Sequence, residues 1–203
     1  MSGIRLWNGD ICDLEVDAIV APAPTSLWMT SGVGAAIKQR GGHGIEFEAV
    51  AHGPQPLGTV VATGAGSLNV RHVIHAVTMG SDRRMSAPAL EASTRAAVRL
   101  ADSLGLRTMA FSSLGSPLGG VSLPESAEIM VRALREELAG CSSIGEIVIA
   151  VPGARTYAAF HEELGRSPRL AAVPVVRDPD VRAVPVMDEH AGAGGRRPAG
   201  GRA

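Results

Sequence analysis

Two short stretches of this chain carry the residue types that hold anions. In the first, the apolar run Asp17-Ala18-Ile19-Val20 leads through a proline-bearing segment to Ser31-Gly32-Val33-Gly34 and on to Ala35-Ala36-Ile37-Lys38-Gln39. In the second, Thr108-Met109-Ala110-Phe111-Ser112 leads to Leu114-Gly115-Ser116-Pro117-Leu118-Gly119-Gly120-Val121 and then to Ser122-Leu123-Pro124-Glu125. Each reads as a strand, a glycine loop and a helix start. The first N–H groups of a helix have no internal partners, and glycines let a ligand approach the backbone. Neither loop is a Walker A sequence, and Ile37 stands where a dinucleotide fingerprint needs Gly or Ala. Two such loops at the carboxyl ends of neighbouring strands form one crevice, which suits a diphosphate held from both sides. Thr25, Ser26 and Ser116 are weak candidates for catalytic hydroxyls beside it.

The elements that position these loops are legible from spacing. Ile4-Arg5-Leu6-Trp7 is a short strand running into Asn8-Gly9-Asp10-Ile11, which by itself reads as a plain turn with a solvated acid. Asp17 is a structural acid at the start of the next strand. Pro22 and Pro24 are expected to end its pairing, since neither has an N–H. Thr30 or Ser31 is expected to cap the helix that follows. Residues 58–63 and 71–77 read as paired strands around a glycine turn. His75, inside the second of them, reads as a hydrogen-bonded core residue. Ser86-Ala87-Pro88 starts a helix whose apolar stripe excludes Arg95 and Arg99, placing both on a solvated face. Ser122 and Glu125 have the spacing of a capping box. Residues 145–151 form the last strand, and 155–165 a helix on which Tyr157, Phe160 and Leu164 share one side.

The strand and helix alternation, with two crossover units, predicts an α/β fold, a three-layer α/β/α sandwich. In a chain of 203 residues, 45% hydrophobic but only 3% aromatic, aliphatic and alanine packing must fill the core. One domain is expected over residues 1–167, followed by a Pro/Gly/Arg-rich extension, 168–203, unable to bury a core. A net charge of −1 argues against broad nucleic-acid or membrane binding. Cys12 and Cys141 lack metal or disulfide spacing and read as reduced structural thiols. With no signal-peptide pattern and no long apolar run, the expected location is cytoplasmic and the expected state a monomer.

As whole strings, Val16-Asp17-Ala18-Ile19-Val20, Ser31-Gly32-Val33-Gly34-Ala35-Ala36-Ile37, Gly9-Asp10-Ile11 and Val73-Ile74-His75-Ala76 resemble one family, the ADP-ribose-binding macrodomains. The likeness runs over roughly residues 4–165 and sharpens the fold to a mixed, mostly parallel sheet of about six strands. It implies ADP-ribose, or protein carrying it, as partner, and no cofactor or metal. Asp10, with Ile11, would receive the adenine amino group, and Tyr157 would be a second-rank cover for the ring. The diphosphate would lie between Gly32, Val33 and Gly34 on one side and Gly115, Ser116, Leu118, Gly119 and Gly120 on the other. The chain departs from the family where Ala21-Pro22-Ala23-Pro24 replaces both loop asparagines. Pro24 and Gly34-Ala35 then occupy the places of side chains that hydrolytic members use, and Lys38 should point away along its helix. The resemblance implies a hydrolase releasing ADP-ribose from an acidic-residue ester, with the substrate's own phosphate holding the water. The alternatives are a non-catalytic reader and an enzyme acting on ADP-ribose 1″-phosphate or O-acetyl-ADP-ribose.

Overall fold

The computed structural model describes residues 3–114 and 120–166. Gly115, Ser116, Pro117, Leu118 and Gly119 of the second glycine loop, and the C-terminal extension, lie outside the described residues. Strands β1 (Gly3–Trp7), β2 (Ala18–Pro24), β3 (Val60–Gly64), β4 (His72–Met79), β5 (Thr108–Ser112) and β6 (Glu146–Ala150) form one sheet in the order β1-β6-β5-β2-β4-β3. All pairings are parallel except β3 with β4. The helices are α1 (Gly32–Gly41), α2 (Gly44–Ala51), α3 (Ala87–Ser103), α4 (Leu123–Gly140) and α5 (Ala154–Arg166), with a 3-10 turn at Ile11–Asp13. This is the mixed α/β fold expected from the sequence.

Strand alternation sorts the core into two faces. Ala18, Val20, Ile74, Met109, Phe111, Ile147 and Ile149 pack with Leu90, Val98, Met130, Leu134 and Phe160, so α3, α4 and α5 cover that side. Ile19, Ala21, Val73, Ala110, Val148 and Ala150 pack with Ile11, Cys12, Ile37 and Ile45, so the 3-10 turn, α1 and α2 cover the other. The connections from β2 to α1 and from β5 to α4 therefore leave two adjacent strands toward opposite faces. A crevice opens at their carboxyl ends, where α/β proteins bind ligands.

The prolines of β2 correct one expectation. Pairing with β4 runs through Pro22 and Ala23 to Pro24, with an irregularity at the last step. The His72 amide donates to the Asp17 carbonyl, and that of Thr25 to Met79. Odd-numbered residues of β2 thus turn their amides to β4, and even-numbered ones turn toward β5. Pairing with β5 stops at Val20, whose carbonyl accepts from Ser112 Oγ at 3.2 Å. Pro22 and Pro24 face β5, so their missing N–H groups end that ladder and spare the one with β4.

The helix signals hold with two changes. Ser86 accepts from the Ala89 amide, and Ser122 and Glu125 form the full capping box. Arg99 is exposed as expected, but Arg95 is half-buried among carboxylates. Arg95 reaches Glu91, Glu136 and Glu137, Arg99 reaches Glu137, and Arg132 of α4 reaches back to Glu91. This ion-pair network clamps α3 against α4. Helix α1 begins at Gly32, three residues earlier than expected, and the Ser31 side chain makes no cap hydrogen bond. Both hydroxyls proposed as caps, Thr30 and Ser31, accept instead from Arg83.

Candidate functional site

A cavity of about 410 Å³ lies in the crevice, bounded by Asp10, Ile11, Gly32, Val33, Ala36, Ser112, Ser113, Ala150 and Pro152. That is within the roughly 300–1,000 Å³ of small-molecule sites. Its floor is made of small residues at strand ends. Its walls are the 3-10 turn on one side and the first turn of α1 on the other.

The α1 wall offers donors. The amides of Gly32, Val33 and Gly34 are the first three of the helix, and among the described residues no acceptor meets them. Gly32 has φ +59°, and a Cβ there would meet nothing within 4 Å, so its side faces open space. Glycine is needed here for the backbone angle and for access. Gly34 is packed differently, since a Cβ would lie 3.6 Å from Met29 Cβ, an ordinary contact.

The opposite wall offers an acceptor. Asp10 Oδ1 accepts from the Cys12 amide at 2.9 Å, and Oδ2 from Arg40 at 3.3 Å. Arg40 also pairs with Asp13 at 2.7 Å. The carboxylate is thus fixed in place and still has lone pairs for another donor. Below it, burial together with the Asp10 charge pushes the Cys12 thiol up to about 12, so it stays an inert thiol.

Other residues singled out from the sequence fall elsewhere. Tyr157 packs against the larger core cluster, stacks on His161 with ring centroids 6.0 Å apart, and is not in the cavity wall. Thr25 and Ser26 lie just beyond β2 and line neither this cavity nor the smaller one beside it. Gly120 has φ +88°, and a Cβ there would come 2.1 Å from the Met85 carbonyl, so the chain at Gly120 packs directly on the segment before α3. Lys38 leaves the crevice and pairs with Glu46. Asp17 accepts from the Arg107 and Thr108 amides, which holds its carboxyl below the usual range against the opposing effect of burial. His75 is 1% exposed and its Nε2 lies 3.0 Å from Thr63 Oγ1. Burial, helped by the nearby His52, lowers its pKa to about 4, so the ring is neutral at pH 7.

Sequence reasoning missed Ser112 and Ser113, although their place after β5 is the signal that pointed to the glycine loops. It also missed Arg83. A second cavity of about 50 Å³ lies on the far side of the α1 turn, walled by the end of β2, Trp28, Thr30, Ser31, Gly34, His75 and Arg83. No periodicity marks Asp82-Arg83-Arg84 as part of any wall.

Comparison with known proteins fits this architecture. The macro domain family model matches residues 20–130. An uncharacterized protein of Mycobacterium bovis is 38% identical over 160 residues, which are 79% of this chain and 44% of that protein. The chain thus spans less than half the length of that relative. A macro domain-containing protein of Caldanaerobacter subterraneus is 34% identical over 177 residues, covering 80% of this chain and 98% of its own. The chain belongs to the macro domain family. Among solved structures, the Trypanosoma brucei macrodomain, determined in complexes with ADP-ribose and with ADP, superposes with a TM-score of 0.73 at 24% identity. The match covers 80% of this chain and 69% of that one. It is a likeness of fold.

Proposed function

We propose that this macrodomain binds ADP-ribose and releases it from modified protein. One observation carries the reading. Gly32 and Val33, whose amides at the start of α1 are unpartnered among the described residues, and the fixed carboxylate of Asp10 line one 410 Å³ cavity. A nucleotide diphosphate needs such donors, and an adenine amino group needs such an acceptor. The relatives' macro domain identity supports the same ligand. Asp10 would take the adenine amino group with Ile11 against the ring, and Gly32, Val33 and Gly34 would hold the diphosphate from one side.

The linkage cut is an ester to Glu or Asp. Water attacks the anomeric carbon as the carbon–oxygen bond to the acyl group breaks, and the electron pair leaves on the carboxylate. The water's proton passes to a phosphate oxygen of the substrate and then to solvent. A carboxylate leaves without a strong protein acid, and the loops act by positioning. Thr25 and Ser26 stand away from both cavities, consistent with a mechanism that needs neither hydroxyl. The test is to incubate the protein with ADP-ribosylated proteins of defined linkage and follow free ADP-ribose. Release from the acidic-residue ester is expected. Tight binding with no release from any linkage would make the protein a reader, and turnover confined to the 1″-phosphate or O-acetyl form would make it an enzyme of small molecules.

A further inference from the structure

We propose that Arg83 is the residue that tells ADP-ribose from ADP: it contacts the oxygens that ADP-ribose carries beyond its diphosphate. This rests on the nucleotide reading above and goes beyond it. The two cavities share the first turn of α1, with Gly32 and Val33 on the large one and Ser31 and Gly34 on the small one. A ligand whose diphosphate lies on that turn, with its adenine toward Asp10, must direct its other end toward the small cavity. There the end of β2 supplies Ala21, Pro22, Ala23 and Pro24, none of which has a hydrogen-bonding side chain. The polar groups come from elsewhere: the Trp28 indole, Thr30, Ser31, His75 and Arg83. His75 is neutral and already meets Thr63, so the guanidinium is the one charged group among the lining residues.

The guanidinium is also held in place. It donates to Thr30 Oγ1 at 2.7 Å and to Ser31 Oγ at 3.4 Å. It crosses from the β4–α3 connection to the β2–α1 connection, and Arg83 lines the small cavity. Its backbone sits at φ +58°, a conformation unfavourable for any residue with a side chain. Among the described residues no carboxylate pairs with it. Two of its five N–H groups are used, on neutral hydroxyls, which leaves three for a ligand. A volume of about 50 Å³ has room for a few water-sized groups. That suits a sugar hydroxyl or acyl oxygen and excludes another nucleotide.

Calorimetry with ADP-ribose and ADP, on the wild type and on Arg83→Ala, Arg83→Gly and Arg83→Lys, tests this. Arg83→Ala should weaken ADP-ribose binding about 10- to 100-fold, as for loss of hydrogen bonds from a charged donor. ADP affinity should change less than about 2-fold, the margin expected for a residue that does not touch the shared part of the ligand. Arg83→Gly, which suits the backbone angle, should behave like Arg83→Ala, and Arg83→Lys should fall between. A melting temperature equal to wild type shows that each variant is folded. Equal loss for ADP and ADP-ribose would place Arg83 on the diphosphate and overturn the assignment, as would unchanged binding of both. A wild type that binds neither ligand would instead overturn the nucleotide reading itself.

Discussion

Lys38 Nζ lies 2.9 Å from Glu46 Oε2, and the same oxygen accepts the Met29 amide at 2.7 Å. One buried carboxylate therefore ties α1, α2 and the loop before α1 together, and that loop carries the wall of the small cavity. Removing one partner of a buried pair leaves the other charge stranded, at a cost of about 3–5 kcal/mol. Glu46→Ala and Lys38→Met should each destabilise the protein by an amount near the lower end, because Lys38 keeps some contact with water. Glu46→Gln, which preserves the acceptor for Met29, should cost less than Glu46→Ala. Urea unfolding at pH 7 gives the comparison, and equal costs for the two Glu46 variants would contradict this role.

His75 makes stability depend on pH in one window. Its folded pKa, about 4, lies below the ordinary value of 6.5, so between these values the unfolded chain binds the proton more readily. The protein should keep its full stability above pH 6.5 and lose it progressively as pH falls toward 4. The loss should be on the order of 3 kcal/mol, at about 1.4 kcal/mol for each pH unit. A His75→Gln variant should lack that slope, whatever its own stability. Denaturant curves at pH 7, 5.5 and 4.5 would show it, and an identical slope in the variant would assign the effect to other groups.

Asp10 should contribute one charged hydrogen bond to the ligand. Asp10→Ala is expected to weaken ADP-ribose binding by about 1.5–3 kcal/mol. Asp10→Asn keeps an oxygen for the Cys12 amide, so it separates the carboxylate's contact with the ligand from its role in holding the turn. If Asp10→Asn binds as tightly as wild type, the negative charge is irrelevant to recognition.

Gly32 should tolerate a new side chain structurally but not functionally. A Cβ there meets nothing, so Gly32→Ala pays only for the left-handed backbone, about 1–3 kcal/mol. Gly32→Glu places a carboxylate against the diphosphate and should abolish binding and release together. Gly120→Ala is the contrast. Its Cβ would strike the Met85 carbonyl, so the loss should appear in thermal unfolding first. A Gly32→Glu protein that binds ADP-ribose normally would remove α1 from the site.

The parts of this molecule written in local chemistry were legible in the sequence. The capping box at Ser122 and Glu125, the cap at Ser86 and the two glycine-led helix starts follow from neighbours a few residues apart. Asp10 was found as a turn residue, and only its likeness to a family motif marked it as a contact. What escaped was set by distant partners. Arg95 reads as solvated in the sequence because two of its three carboxylates, Glu136 and Glu137, lie on another helix about forty residues on. Thr30 and Ser31 had the residue types of caps, but Arg83, more than fifty residues away, takes their hydroxyls. Tyr157 shares its side of α5 with Phe160 and Leu164, and the structure places it with them. The β2 prolines end pairing toward β5 but not toward β4, because a proline's effect depends on which neighbour its nitrogen faces, and that is fixed only by the register of the sheet.

Those prolines set how far the sheet runs between β2 and β5. Two strands lying side by side would ordinarily continue to zip together, and β2 and β5 begin to do so from Ala18 to Val20. Beyond that point β2 offers β5 nitrogens that carry no hydrogen. The ladder between β2 and β5 therefore cannot run on through the nitrogens of Pro22 and Pro24.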